Sequence, residues 1–500
     1  MSHTDVTALP ASVEQQPAAR SLWYLPYEIF TASLSTYFLI VCWSLYWIAA
    51  GAGALLSWVL PRSLIERAPL LWLSASSIAL AGITQAFAYF LPDYSNPREI
   101  AYEIVFWLTI GVFARSYLIY TDYPATFEGL KQSIDERPLE RWFAKHLHHP
   151  IDAIFTRIWV ANSVALIPLT VLLILPWTIN YYVITGYALA LLLSQFPSEL
   201  IDHTHVHTRV FQPRLGASER IKSLMKVLQF YYDYVLTLLV ARVPHYYRVQ
   251  HLYIHHVEGN GPADSQTTEP YDRASFTDFS RHAFIQGVHL VFGWPVYRYL
   301  AGRGKKRPMR MLVQGLAIWW TILIALAWFN PIAAVIVFIT RFIGGNVQSL
   351  VAFWQHGLVD PEESHEAHGS TVDFFGPEHG NLGNDYHVEH HIQPGRHWSA
   401  YYDVFSKQSA IDGAHNAVVF QKEMFGPLAM VAALWRRDYQ AVARYAHLRG
   451  VDPNDKAELA RIVEERTRPI GAPERTGFFL WLDTAYSRLM SHFMPTRFYV

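Results

Sequence analysis

Apolar residues in this chain gather into runs too long for the core of a soluble domain. Residues 29–61, 69–92, 158–198 and 311–340 contain no charged side chain. About 20 consecutive apolar residues cross a bilayer as a helix. The first two runs therefore predict one span each, and 158–198 has room for a hairpin of two, bent near Pro176 or Asn180. Residues 101–121 predict a weaker span carrying Glu103 and Arg115. A final pair, 311–328 and 332–352, turns at Asn330–Pro331, which brings the total to about seven. The expected fold is all-α, a polytopic transmembrane helical protein.

Polar stretches organise the rest. Residues 199–310 read as helices and loops, with 228–242 and 283–300 apolar enough to lie in the membrane interface without crossing. Residues 360–385 form a loop rich in Gly, Asp and Glu. Beyond about 410 the pattern becomes that of a soluble extension with helical periods at 424–447 and 455–467. The aromatic segment 477–499 suits a membrane surface. The chain thus divides into a mobile polar tail (1–28), a membrane-embedded domain (29–410) and a C-terminal cytoplasmic or membrane-surface extension (411–500).

Composition agrees, with 52% hydrophobic and only 16% charged residues, against about 25% charged in a typical soluble protein. A net charge of −1 without a basic, aromatic-laced stripe argues against nucleic acid as a partner. The one cysteine, Cys42, excludes an intrachain disulfide, a four-cysteine zinc site and a fused rubredoxin or iron–sulfur domain. The N-terminus has no basic region ahead of the first run, so no cleaved signal peptide is expected. Lys and Arg concentrate in 302–310 and in 122–157, where Lys131, Arg137, Arg141, Lys145 and Arg157 lie. Those loops are expected to be cytoplasmic, with the N-terminus outside.

Histidines add the chemistry. Of 24, 17 fall between residues 203 and 397. They form His203-x3-His207, then His251-x3-His255-His256, then a lone His356, then His387-x2-His390-His391. Residues three or four apart share a helix face, so each cluster is expected to grip one ion from one side. Nine imidazoles exceed the needs of one ion, and a structural zinc takes four ligands, so two metals are expected. Imidazole alone does not choose between iron, zinc, copper and nickel. Each cluster follows the end of a span, on the side expected to be cytoplasmic.

His205 points away from its neighbours on the helix. His146, His148 and His149 precede a proline on a basic loop, and His365 and His368 lie in an acidic loop; solvated surface is the expected role of all five. His397 stands close to the last cluster without joining it. Glu199, Asp202, Asp385 and Glu389 are expected to orient ligand imidazoles or to serve as ordinary helix-end charges.

The order and spacing of these boxes resemble the integral-membrane fatty acid desaturase/hydroxylase superfamily, and within it the alkane 1-monooxygenase branch. The likeness covers roughly 160–410. It rests on Asp202-His203-Thr204-His205-Val206-His207, Gln250-His251-Leu252-Tyr253-Ile254-His255-His256, Phe353-Trp354-Gln355-His356 and His387-Val388-Glu389-His390-His391-Ile392-Gln393-Pro394-Gly395-Arg396. Two positions depart from the pattern: Thr204 stands where the alkane branch has Glu, and Ala352 where the superfamily often has Asn. The resemblance implies two non-haem irons held by His203, His207, His251, His255, His256, His356, His387, His390 and His391, with O2 as co-substrate and no catalytic residue beyond the ligands. It implies an apolar chain substrate, an alkane or a fatty acid, entering from the lipid bilayer. It also implies electrons from a separate rubredoxin or ferredoxin and its reductase.

Hydroxylation, desaturation and oxidative decarboxylation to a terminal alkene would share that oxidant. The reach of the second box and the Pro394/Arg396 tail favour the hydroxylase-like branch. A histidine-rich metal transporter is the alternative of a different class. It requires ionisable residues along a path at mid-membrane depth. A bis-histidine haem protein needs only paired single histidines, not doublets.

Overall fold

The computed structural model describes residues 25–59, 62–90, 97–174, 181–377, 381–408, 417–422, 424–448 and 451–494. Long helices dominate: α1 (Leu25–Val59), α2 (Pro69–Phe90), α3 (Pro97–Thr121), α4 (Phe155–Ile174), α5 (Tyr181–His207), α6 (Phe276–Phe292), α7 (Lys306–Phe329) and α8 (Pro331–Gln355). Among the described residues five helical stretches are long and apolar enough to cross a membrane: Tyr102–Thr121, Pro150–Ile174, Tyr182–His207, Lys306–Phe329 and Pro331–Gln355. They coincide with the five later predicted spans. At the first two predicted spans lie α1 and α2, with apolar stretches Leu25–Val41 and Pro69–Ile83. The expected bend near Pro176 or Asn180 and most of the N-terminal tail lie outside the described residues.

Hydrogen bonds between buried polar groups tie helices of the apolar bundle together. Tyr117 of α3 donates to Asn162 Oδ1 of α4 at 2.6 Å, and the Asn162 amide donates to Ser198 of α5 at 3.0 Å. The α7–α8 hairpin turns where expected: Asn330 Oδ1 accepts the Ala333 N–H at 3.0 Å, and Pro331 starts the helix where its missing N–H costs nothing. Residues 283–292, in the stretch expected to lie at the interface, are the C-terminal part of α6, pressed against α8 through glycines. A Cβ on Gly345 would stand 2.4 Å from the Ala283 carbonyl oxygen, and one on Gly287 2.6 Å from that of Phe342. Small residues at such a crossing let helix backbones meet.

The segment beyond 410 packs against the histidine-bearing half. β1 (Val372–Phe375) pairs in parallel with β2 (Val418–Gln421), which pairs antiparallel with β3 (Ala446–Leu448). Phe374, Phe420 and Trp435 are buried there. Arg466 bonds Asp360 at 2.5 Å, and its carbonyl accepts the Val359 N–H at 3.0 Å, so this region braces the chain just past His356. The helix Gly477–Ser491 turns Asp483 and Ser487 inward, against Arg475 and Phe276 N, and exposes Phe478 and Trp481.

Candidate metal centre

Four elements deliver the nine histidines to one place. The C-terminal turn of α5 carries His203 and His207, which share a face at i and i+4. The second box is wound differently. Residues 251–255 form a π-helical turn in which the His256 N–H donates to the His251 carbonyl, five residues back. Such winding stacks positions i and i+5, whereas an α-turn would not. It brings the Nε2 atoms of His251 and His256 to 3.1 Å. His356 follows the last turn of α8, and α9 (His387–Ile392) carries the third box.

These side chains form two groups that could each hold a metal ion: His203, His207, His251 and His390, and His255, His356, His387 and His391. Within each group the ligating nitrogens lie within 4.8 Å of one another. Nε2–Nε2 separations include 3.0 Å for His203–His390, 3.1 Å for His356–His387 and 3.1 Å for His387–His391. His256 sits between the groups, with its Nε2 3.2 Å from that of His207 and its ring 4.7 Å from that of His391. The expectation that each box grips one ion from one side is corrected on this point. The second and third boxes are split between the groups: His251 joins one and His255 the other, their rings stacked 5.2 Å apart, and on α9 His387 pairs with His391 while His390 joins the other group.

Other contacts set the ring orientations. His255 Nδ1 meets the buried Asp264 carboxylate at 2.6 Å, His356 Nδ1 donates to the Ser370 carbonyl at 2.7 Å, and His390 Nδ1 lies 3.1 Å from Tyr401 Oη. Burial pushes the Asp264 carboxyl up, but His255, the Gln266 N–H and His356 together bring it below its ordinary value. Burial, then the neighbouring imidazoles, holds His251, His256, His387, His390 and His391 well below the usual histidine value, and takes His356 to about 3. Those rings are neutral near pH 7, the form that donates to a metal. The donor chemistry fits one. With the Nδ1–H of His356 used on Ser370, its Nε2 presents a lone pair to a crowd of other Nε2 atoms, and one N–H per ring cannot satisfy them all.

The bystanders stand apart. His205 Nε2 faces Gln229 at 2.5 Å and Asp233 at 3.3 Å, on the opposite side of α5 from His203. His149 stacks on His397, whose Nε2 meets Asp152 at 2.9 Å, and His146 lies against Trp142. Of the four acids expected to orient imidazoles, Glu199 and Asp202 bond Arg242, and Asp385 bonds Lys422 at 2.6 Å. Glu389 is fully buried on α9. Asp264 and Tyr401 hold the contacts to ring nitrogens, and sequence reasoning missed both. The one signal for Asp264 was an acid in the Gly-rich turn just after the second box.

An apolar cavity of ≈ 190 Å³ opens between α1, α5, α6 and α8, lined by Phe38, Leu39, Phe196, Phe279, Val347 and Trp354 among others. Phe196 is two turns before His203 on one face of α5, roughly 10 Å along the axis. Trp354 is two residues before His356.

A family model for fatty acid desaturases matches residues 222–423, which hold the second and third boxes and His356. No curated protein and no solved structure matches the chain. The match supports the fatty acid desaturase/hydroxylase superfamily and an oxidoreductase activity. Together with the apolar helices it supports a multi-pass membrane protein.

Proposed function

We propose that this chain is a membrane non-haem di-iron oxygenase that hydroxylates an apolar aliphatic chain, an alkane or a fatty acid, with O2. The observation that carries this reading is the pairing of two buried histidine groups with an apolar-lined cavity. The nine histidines would hold two irons, one per group, with His256 between them. Bound iron supplies the oxidising chemistry toward an unactivated C–H bond that side chains lack. The protein's own part is positional. Asp264, the Ser370 carbonyl and Tyr401 fix the imidazoles, and the walls of Phe196, Phe279 and Trp354 exclude water and align the chain. Electrons come from a separate rubredoxin or ferredoxin on the cytoplasmic side, where the histidine groups would face. The spacing of the second box and the Pro394/Arg396 tail support the alkane 1-monooxygenase branch. A metal transporter fits poorly, because it needs ionisable residues spread along a path at mid-membrane depth, whereas the histidine groups gather at the C-terminal ends of α5 and α8.

Purified protein given ferrous iron, a ferredoxin system, ¹⁸O2 and medium- to long-chain alkanes and fatty acids should release alcohols or hydroxy acids carrying one labelled oxygen. Mass spectrometry reads the result. Products that only lose hydrogen, or terminal alkenes one carbon shorter than the acid, would replace hydroxylation with desaturation or decarboxylation.

A further inference from the structure

A second, polar cavity of ≈ 40 Å³ lies beside α8, lined by Asp202, Tyr232, Arg242, Tyr247, Arg341 and Gln348 among others. One water needs about 10–15 Å³ by the same measure, so the space exceeds a single solvent site. Most charges around it are already matched. Arg242 bonds Asp202, Glu199 at 3.0 Å and the Gln195 carbonyl at 2.9 Å, while Asp233 faces His205. Arg248 and Arg341 have no ion pair among the described residues, and of the two Arg341 is the buried one. It is 7% exposed within a membrane-spanning helix. Its Nε donates to the Leu290 carbonyl at 3.0 Å, and its guanidinium lies over the Tyr246 ring at 5.2 Å. Among the described residues neither Nη has an acceptor. A buried cation so placed is costly unless an anion faces it. Gln348, two turns on along the same face, uses its Oε1 on Gln266 at 3.3 Å, and its amide N–H2 has no acceptor among the described residues.

We propose that Arg341 and Gln348 form a carboxylate site that takes the acid group of a fatty-acid substrate. This rests on the reading of the protein as an enzyme of apolar chains, and names which chain it takes. A fatty acid and a small soluble carboxylate both offer the group, and the surroundings favour the fatty acid. The adjacent face of α8, with Thr340, Ile343, Gly344 and Val347, lines the apolar cavity. Gln195 joins the two: it lines the apolar cavity while its carbonyl holds Arg242. The polar cavity also borders the histidines. Tyr247 stacks on His251 with centroids 5.1 Å apart, and Asp202 precedes His203.

The test is a binding measurement on the full chain in detergent, by titration calorimetry, with dodecanoate, its methyl ester, dodecane and acetate. Dodecanoate should bind about tenfold or more tighter than the ester, as expected for charge-assisted hydrogen bonds. Arg341→Gln should bring the acid to the level of the ester, leaving ester and dodecane unchanged. Equal affinity for acid and ester, or equal weakening of both by the substitution, would overturn the proposal. So would acetate binding as tightly as dodecanoate in an Arg341-dependent manner. Should Arg341→Gln fail to fold, Gln348→Leu replaces it, with the acid again expected to weaken and the ester to be spared; equal weakening again overturns the site. Binding of ester and dodecane with no preference for the acid defeats this proposal alone, whereas no binding of any chain defeats the parent reading as well.

Discussion

His256→Ala should abolish turnover, at least about a hundredfold, because removing a metal-site ligand or its support costs that order of activity. The position stands between the two groups. Its Nε2 lies 3.2 Å from that of His207 and 3.1 Å from that of His251, and its ring centroid is 4.5 Å from that of His390 and 4.7 Å from that of His391. Truncation there opens a gap between both groups at once. His205→Ala is the matched control, two residues from His203 but turned toward Gln229 and Asp233. It should keep most of the activity. Product formation and metal content measured on both variants decide the matter, and a His205→Ala as inactive as His256→Ala would contradict the assignment.

His356→Gln should leave a folded, membrane-inserted protein with reduced iron and activity down about a hundredfold. The side chain does two things. Nδ1 donates to the Ser370 carbonyl at 2.7 Å, while Nε2 faces His387 Nε2 at 3.1 Å. Glutamine can keep a hydrogen bond in place of the first contact and is a poor iron ligand in place of the second. A merely structural histidine would therefore tolerate the change. Full iron occupancy with more than half the activity would remove His356 from the site.

Much of this arrangement was legible because its signals are local. Runs without charge mark the spans, and Asn330–Pro331 carries its own cap and helix start. The i, i+4 pair His203/His207 shares a face whatever surrounds it. The partition of the histidines was not legible, since it depends on the π-turn at 251–255, and nothing in that stretch announces a five-residue hydrogen bond. Asp264 was hidden because its contact with His255 crosses a turn that no helical period spans. For Glu199 and Asp202 the sequence left two roles open: both sit beside the first box, and their ion pair is with Arg242, forty residues on from Asp202. Pairing of β1 with β2 depends on two short strands separated by more than forty residues, a contact that no local pattern encodes.

If the two histidine groups hold two irons, the metal should be countable. Metal analysis of anaerobically purified, active protein tests it most directly, with iron quantified against chain concentration by plasma mass spectrometry. Two irons per chain are expected, falling together with activity on chelation and returning with ferrous iron. One metal or none, with activity retained, would contradict it.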